Sequence, residues 1–556
     1  MAKTTTIGQY LIHRLHEAGL KHVFGIPGDY VLRFYSLLDQ SSLKVVGMCT
    51  EAGAAFAADA YARVSGLGAV CVTYCVGGLN TLNAVAGAYA EKSPLIVISG
   101  APGRDEQARS PLLHHRVRDF NTQRLMFEKV TVAAVALEDP VTVPAQIDET
   151  IATCMRTKRP VYIELPRDMV DQVCAAPVPR RVEPPRSDPL ALREALQETT
   201  AMLRAAKRPV ILAGVEIHRF GLQPALVHLV NRSGYPVAAT LLGKSVISEM
   251  HPQYLGIYEG AMGREDVRRA VESADCVLII GAPLTDIDMG IFTAHLDESR
   301  VVNAISERIT IRHHHFQDVW LGDFIRGLAA ARLRRRPKRA AVRKAALAAF
   351  RPQPQRPITV RRFFERMNAF LADDSVVIAD IGDSLFGAAD LTIHRSTEFI
   401  SPAYYTSMGF AVPAAVGAQF AKPSLRPIVF VGDGAFQMTG QELSIVARHR
   451  LNPIVFVLNN KGYATERFIL EGPFNDIHEW SYHLIPRVLR AGWGCEVRTE
   501  GQLEAALIRA RDNTRTFSLI NIHLDPLDTS NALARLGKRL AKRAGGGRPK
   551  NPRPRR

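Results

Sequence analysis

The chain has 556 residues, is 47% hydrophobic and 22% charged, and carries seven cysteines and a formal charge of +16. That length suits about three domains, each with a sizeable core. No run approaches the roughly 20 uninterrupted apolar residues of a membrane span, and the scattered cysteines include no C-x-x-C pair, which argues against a disulfide framework or zinc cluster.

The first residues, MAKTTTIGQYLIHRL, lack the apolar core and cleavage site of a signal peptide, so a cytoplasmic location is expected. Short continuous apolar runs then alternate with helix-like stretches: AVCVTY (69–74), PLIVIS (94–99) and RPVYIEL (159–165). Such runs, separated by helices, predict parallel strands covered on both faces. The proline-rich APVPRRVEPPRSDP (176–189) reads as a linker. The rhythm resumes with RPVILAG (208–214) and DCVLIIG (275–281) and breaks again at RLRRRPKRAAVRKAALAAFRPQPQRP (332–357). SVVIAD (375–380), PIVFVG (427–432) and PIVFVLN (453–459) complete it. The expected fold class is α/β, with three doubly wound parallel-sheet domains at 1–180, 190–340 and 356–530.

A basic disordered tail is expected over 531–556. From Arg535 onward it holds ten Lys or Arg and no acid, and without it the charge falls to about +6. The basicity is therefore local. The tail has no aromatic residue for base stacking, so polyanions would be held only non-specifically, and a nucleic-acid-binding role is the weaker reading.

The stretch GDGAFQMTGQELSIVARHRLNPIVFVLNN (432–460) places Gly-Asp-Gly after one apolar run and Asn-Asn after the next. Ligands of open parallel sheets bind beyond the carboxyl ends of strands. Gly432 and Gly434 allow close backbone approach to a ligand. MTGQELSIVARHR (438–450) reads as a helix whose N-terminus can face an anion. A carboxylate, an amide oxygen and a backbone carbonyl are hard ligands suited to Mg²⁺, which fills its remaining positions with phosphate oxygens and water. The stretch predicts a magnesium-bridged diphosphate.

This spacing resembles the thiamine diphosphate-binding motif. FGIPGDYVL (24–32), TEAGAAFAADAYAR (50–63), LLHHRVRDF (112–120) and NNKGYATERFI (459–469) are similar to the thiamine-dependent 2-oxo acid decarboxylases, over about residues 5–527. The likeness to the phenylpyruvate and indolepyruvate members is drawn from AVAGAYAEKSPLIVISGAPG (84–103). The resemblance implies that Asp433, Asn460 and the Gly462 carbonyl hold Mg²⁺, with Gly432, Gly434 and Ala435 beside the diphosphate. It implies that Glu51 hydrogen-bonds the aminopyrimidine of thiamine diphosphate, that Met408 folds the cofactor, and that the Thr406 carbonyl accepts from its amine. Asp29, His114, His115 and Glu466 would handle the proton that must be delivered before an aldehyde leaves. Adjacent histidines in extended or helical chain cannot point the same way, so one of the pair is expected to act on the proton and the other to orient.

Pyruvate-preferring members often carry a tryptophan in the segment that here reads IGDSLFGAAD (381–390), where this chain has Leu385. Leu385, Phe386 and Thr465 are therefore expected to line a pocket for aromatic or branched-chain 2-oxo acids, with modest discrimination. RVRDFNTQ (116–123) departs from the glycine-rich sequence of many members, which bears on loop closure. The resemblance also implies a homodimer at least, with a tetramer as the family habit. Acetolactate synthase-type carboligation and pyruvate decarboxylation are the rival activities.

Overall fold

The computed structural model describes residues 4–178, 185–336, 350–393 and 398–535. The chain forms two compact units. One comprises Met1–Arg186, Tyr404–Pro427 and Thr439–Leu451, and the other Ser187–Ala403, Ile428–Met438 and Asn452–Arg556.

The first unit is built on a six-stranded parallel sheet. Its spatial order is Lys44–Gly47, His22–Gly25, Gly68–Val72, Leu95–Ala101, Val161–Pro166 and Ala134–Ala136. The three strands Gly68–Val72, Leu95–Ala101 and Val161–Pro166 are buried at every residue, as strands covered on both faces must be. The helix Glu51–Ser65 starts where the Thr50 hydroxyl accepts from the Gly53 amide, and stops at Gly66 in the left-handed conformation. Most of it is buried, because the helix Ala411–Ala421 packs on it. At Gly417 the approach is so close that a Cβ would meet the Ala57 carbonyl oxygen at 1.8 Å. The expected third domain therefore lends two of its segments to the first unit.

The second unit holds two sheets. One has the order Tyr254–Ile257, Val237–Ala239, Pro209–Ala213, Cys276–Ile280, Val301–Ile305, Arg308–Ile311 and His314–Phe316. Its first five strands are parallel and the last two pair antiparallel. This middle sheet is thus mixed, not wholly parallel as the apolar rhythm predicts: connections this short at its edge admit only hairpins. The other has the order Glu398–Ile400, Ser375–Ala379, Arg426–Gly432, Ile454–Asn459, Ser518–His523 and Trp493–Val497. Ile454–Asn459 runs parallel to both neighbours. Phe363, Phe364, Phe430 and Phe456 pack together in its core.

The expected tail begins too early. Residues 531–535 are helical, the Ser530 amide and hydroxyl donate to the buried Asp383 carboxylate, and Leu533 packs with Met262 and Phe386. An apolar contact and a satisfied carboxylate order this turn despite the basic run that follows. Residues 536–556, with most of the basic run, lie outside the described residues. No described helix is long and apolar enough to cross a membrane.

Candidate active site

In the second unit, Asp433 follows the strand Arg426–Gly432 and Asn460 follows the adjacent parallel strand Ile454–Asn459. Both side chains are buried. One Asp433 carboxylate oxygen accepts from the Gly434 amide at 2.8 Å and the other from the Gly462 amide at 3.2 Å. Burial pushes the Asp433 carboxyl up to about 6, and these backbone donors only partly oppose it. The Asn460 side-chain oxygen is buried with no hydrogen-bond partner among the described residues. A buried carboxylate and an orphaned amide oxygen at neighbouring strand ends fit a hard cation, which would relieve both.

Gly434 leaves room for the Tyr463 ring, which a Cβ would meet at 2.6 Å, whereas nothing lies within 4 Å of a Cβ placed on Gly432. Ala435 is buried. The single helix expected over 438–450 is not formed. A helix Asp433–Thr439 gives way to a tight turn at Gly440–Glu442 and a second helix, Leu443–Arg448. Gly440 stands at the break, and the turn carries the buried Glu442 carboxylate.

In the first unit, Glu51 opens its helix and Asn80 donates to its carboxylate at 2.8 Å. Glu442 accepts from the Cys49 and Thr50 amides and the Thr50 hydroxyl. Gly53 has no side chain where a Cβ would lie 2.0 Å from a Glu442 oxygen. The segment 404–409 is fastened on both sides. Glu91 accepts from the Tyr404 and Tyr405 amides, Asn83 donates to the Ser407 hydroxyl, and the Thr439 hydroxyl donates to the Gly409 carbonyl. Within it Thr406 sits at φ +58°, an uncommon conformation for a β-branched residue, and Met408 is half-buried. Glu91 is itself paired with the buried Arg63.

Asp29 lies in the loop after the strand His22–Gly25, and its carboxylate is 2.8 Å from His114 Nε2. The Tyr30 ring stacks on His114, with centroids 4.9 Å apart, and meets His115 edge-on. The two histidines do not diverge as extended or helical chain would require. His115 has φ +67°, and this turn brings one ligand atom from each of Asp29, His114 and His115 within 4.8 Å of the others. His115 Nδ1 is buried with no hydrogen-bond partner among the described residues.

Glu466 belongs to the second unit, exposed on the short helix Ala464–Ile469. Thr465 precedes it, and its hydroxyl lies 3.4 Å from a Cβ placed on Gly382. Gly382 leads into the helix Asp383–Ala389 that carries Leu385 and Phe386. Leu385 is fully enclosed by Leu241, Ile257, Ala389 and Ala403. Phe386 packs with Met262 and Leu533, and Phe468 of the Glu466 helix lies against that cluster.

Sequence reasoning missed Asn80, Glu91 and Glu442 as supports. Glu442 stands between the two strand ends at 432 and 460, but nothing local marks a glutamate there as reaching Thr50. Asn80 and Glu91 meet their partners only once the chain is folded, and no local sequence signal marks them.

Comparison with known proteins identifies the family. Residues 5–124 match the family described as thiamine pyrophosphate enzyme, N-terminal TPP binding domain. Residues 196–328 match the central domain of the same enzymes, and 380–522 their C-terminal TPP binding domain. The indole-3-pyruvate decarboxylase of Azospirillum brasilense is 35% identical, over 95% of this chain and 97% of its own. Pyruvate decarboxylase isozyme 1 of Saccharomyces cerevisiae is 35% identical over 86% and 87% of the two chains. Pyruvate decarboxylase 4 of Arabidopsis thaliana is 32% identical over 99% and 93%.

Proposed function

The chain belongs to the thiamine diphosphate-dependent 2-oxo acid decarboxylases, and from that premise we propose how its own residues divide the work. The reaction releases CO₂ from a 2-oxo acid and yields an aldehyde. Thiamine diphosphate, when bound, supplies the electron sink for loss of CO₂.

Asp433, Asn460 and the Gly462 carbonyl hold Mg²⁺, and Gly432, Gly434 and Ala435 face the diphosphate. Glu51, steadied by Asn80, hydrogen-bonds the aminopyrimidine. The Thr406 carbonyl would accept from its amine, and Met408 would be the apolar residue that folds the cofactor. Asp29, His114, His115 and Glu466 deliver and hold the proton that completes the aldehyde. Glu51 and Asp433 fall in different compact units, and a homodimer, or a tetramer of two dimers, completes each site. A cytoplasmic location agrees with seven free cysteines.

The observation that carries the decarboxylase reading over carboligation is the Asp29–His114–His115 cluster, which gathers a carboxylate and two imidazoles able to carry protons. The preferred substrates are aromatic or branched-chain 2-oxo acids, supported by Leu385 in place of an indole and by the indole-3-pyruvate decarboxylase relative. Pyruvate is the second reading. It is favoured by the burial of Leu385 in an apolar cluster with Leu241, Ile257, Ala389 and Ala403.

The test is aldehyde release with thiamine diphosphate and Mg²⁺. The panel is pyruvate, 3-methyl-2-oxobutanoate, 4-methyl-2-oxopentanoate, phenylpyruvate and indolepyruvate, with Glu51→Gln as control. Phenylpyruvate or indolepyruvate leading on kcat/KM upholds the aromatic preference, and pyruvate leading overturns it. Carbon–carbon bond formation without aldehyde overturns the proposed proton roles.

A further inference from the structure

We propose that Asp29, His114 and His115 also form a three-ligand site for a zinc-type divalent cation, and that such a cation silences the enzyme. One ligand atom from each of the three residues lies within 4.8 Å of the other two. The pair of Asp29 Oδ2 and His114 Nε2 is already at 2.8 Å. His115 Nδ1 has no hydrogen-bond partner among the described residues although it is shut off from solvent. The left-handed turn at His115 and the Tyr30 ring, stacked on one imidazole and edge-on to the other, hold both histidines at the carboxylate.

Two imidazoles and one carboxylate match the donor preferences of Zn²⁺, with bonds of about 2.0–2.2 Å and the fourth position left to water. Ligand atoms around a tetrahedral ion of that size stand about 3.3 Å apart, so small side-chain rotations close the cluster. The His114 and Asp29 side chains are 57% and 43% exposed, which gives an ion a way in. Mg²⁺ requires a shell of oxygens near octahedral geometry and does not compete for such a site. The cation would occupy the lone pairs that otherwise carry protons, so binding and proton delivery exclude one another. Protons compete for the same lone pairs, so affinity falls as pH falls. Only the silencing rests on the function proposed above, because binding is read without turnover.

The experiment titrates the untagged protein, loaded with thiamine diphosphate and Mg²⁺, with Co²⁺, whose visible absorption reports a low-coordinate site. Zn²⁺ is then used to displace it. One equivalent of Co²⁺ is expected to give the band. Asp29→Asn, His114→Ala and His115→Ala are each expected to weaken binding by at least about tenfold, given that even indirect partners of a metal site are worth about 10–100-fold. Cys49→Ser removes an exposed thiol elsewhere and should leave the band unchanged. Zn²⁺ should stop aldehyde release, and a zinc-selective chelator should restore it. A Co²⁺ band that persists in all three ligand variants, or that vanishes with Cys49→Ser, overturns the site. Binding at the site with undiminished aldehyde release overturns the silencing. A protein that binds Co²⁺ as expected but never releases aldehyde tells against the assigned function and leaves the metal site standing.

Discussion

The carboxylate of Glu442 accepts from Thr50 twice, from its amide at 3.1 Å and its hydroxyl at 3.0 Å, and so holds the residue directly before Glu51. A third bond, from the Cys49 amide at 3.0 Å, completes the clamp. Burial pushes the Glu442 carboxyl up, and the donors pull it back. Glu442→Ala leaves three donors without their acceptor, each worth about 1–3 kcal/mol if no water replaces it. A clear loss of stability in urea is expected, with kcat reduced at least about tenfold. Glu442→Gln should recover part of both, and an unchanged kcat for Glu442→Ala would show that the clamp does not position Glu51.

Asp433 makes the metal-free protein pH-sensitive. Its folded-state carboxyl titrates near 6, above the unfolded value of about 3.9. Between those values the unfolded chain gives up its proton while the folded one keeps it, so folding stability falls as pH rises from about 4 to 6 and is level above. A shift of this size corresponds to on the order of 1–3 kcal/mol. Glu164, Asp383, Glu259 and Asp288 are also raised by burial, so the useful quantity is a difference. Without cofactor, Asp433→Asn should exceed the unsubstituted protein in stability at pH 7, and the gap should close towards pH 4. The same variant should lose Mg²⁺-dependent cofactor binding. Urea denaturation at both pH values checks the sign.

Asn80 steadies the Glu51 carboxylate with one hydrogen bond of 2.8 Å. Asn80→Ala should lower kcat by about tenfold, in keeping with about 1–1.5 kcal/mol for one such bond, and leave the Mg²⁺ requirement unchanged. Asn80→Asp places like charges together and should do worse. Steady-state kinetics on both variants tests the order.

Thr406 stores backbone strain at φ +58°, held by the bonds of Glu91 and Asn83 on either side. A strained residue of this kind costs about 1–3 kcal/mol. Thr406→Gly removes the strain but also the conformational restriction, so Tm should rise or hold while cofactor affinity falls. A fall in both would mean that the threonine side chain, not its backbone, matters.

The strands were legible because a strand covered on both faces needs a continuous apolar run, and GAVCV and IVFVLN are too short to be buried helices. The ends of two such runs located Asp433 and Asn460. The His114–His115 geometry was not legible, since a single left-handed residue reverses what periodicity implies. Nor was the packing of Ala411–Ala421 on Glu51–Ser65. AVPAAVGAQFA is apolar all round and points to no particular partner. Leu385 reads as pocket from its place in a motif, yet the middle sheet's flanking residues enclose it.

That helix pairing sets a timetable for synthesis. Glu51–Ser65 leaves the ribosome roughly 350 residues before the segment that covers it. At about 5–20 residues per second the wait is on the order of 20–70 s. Through that interval the nascent chain presents an alanine-lined apolar face without the helix that covers it in the finished fold.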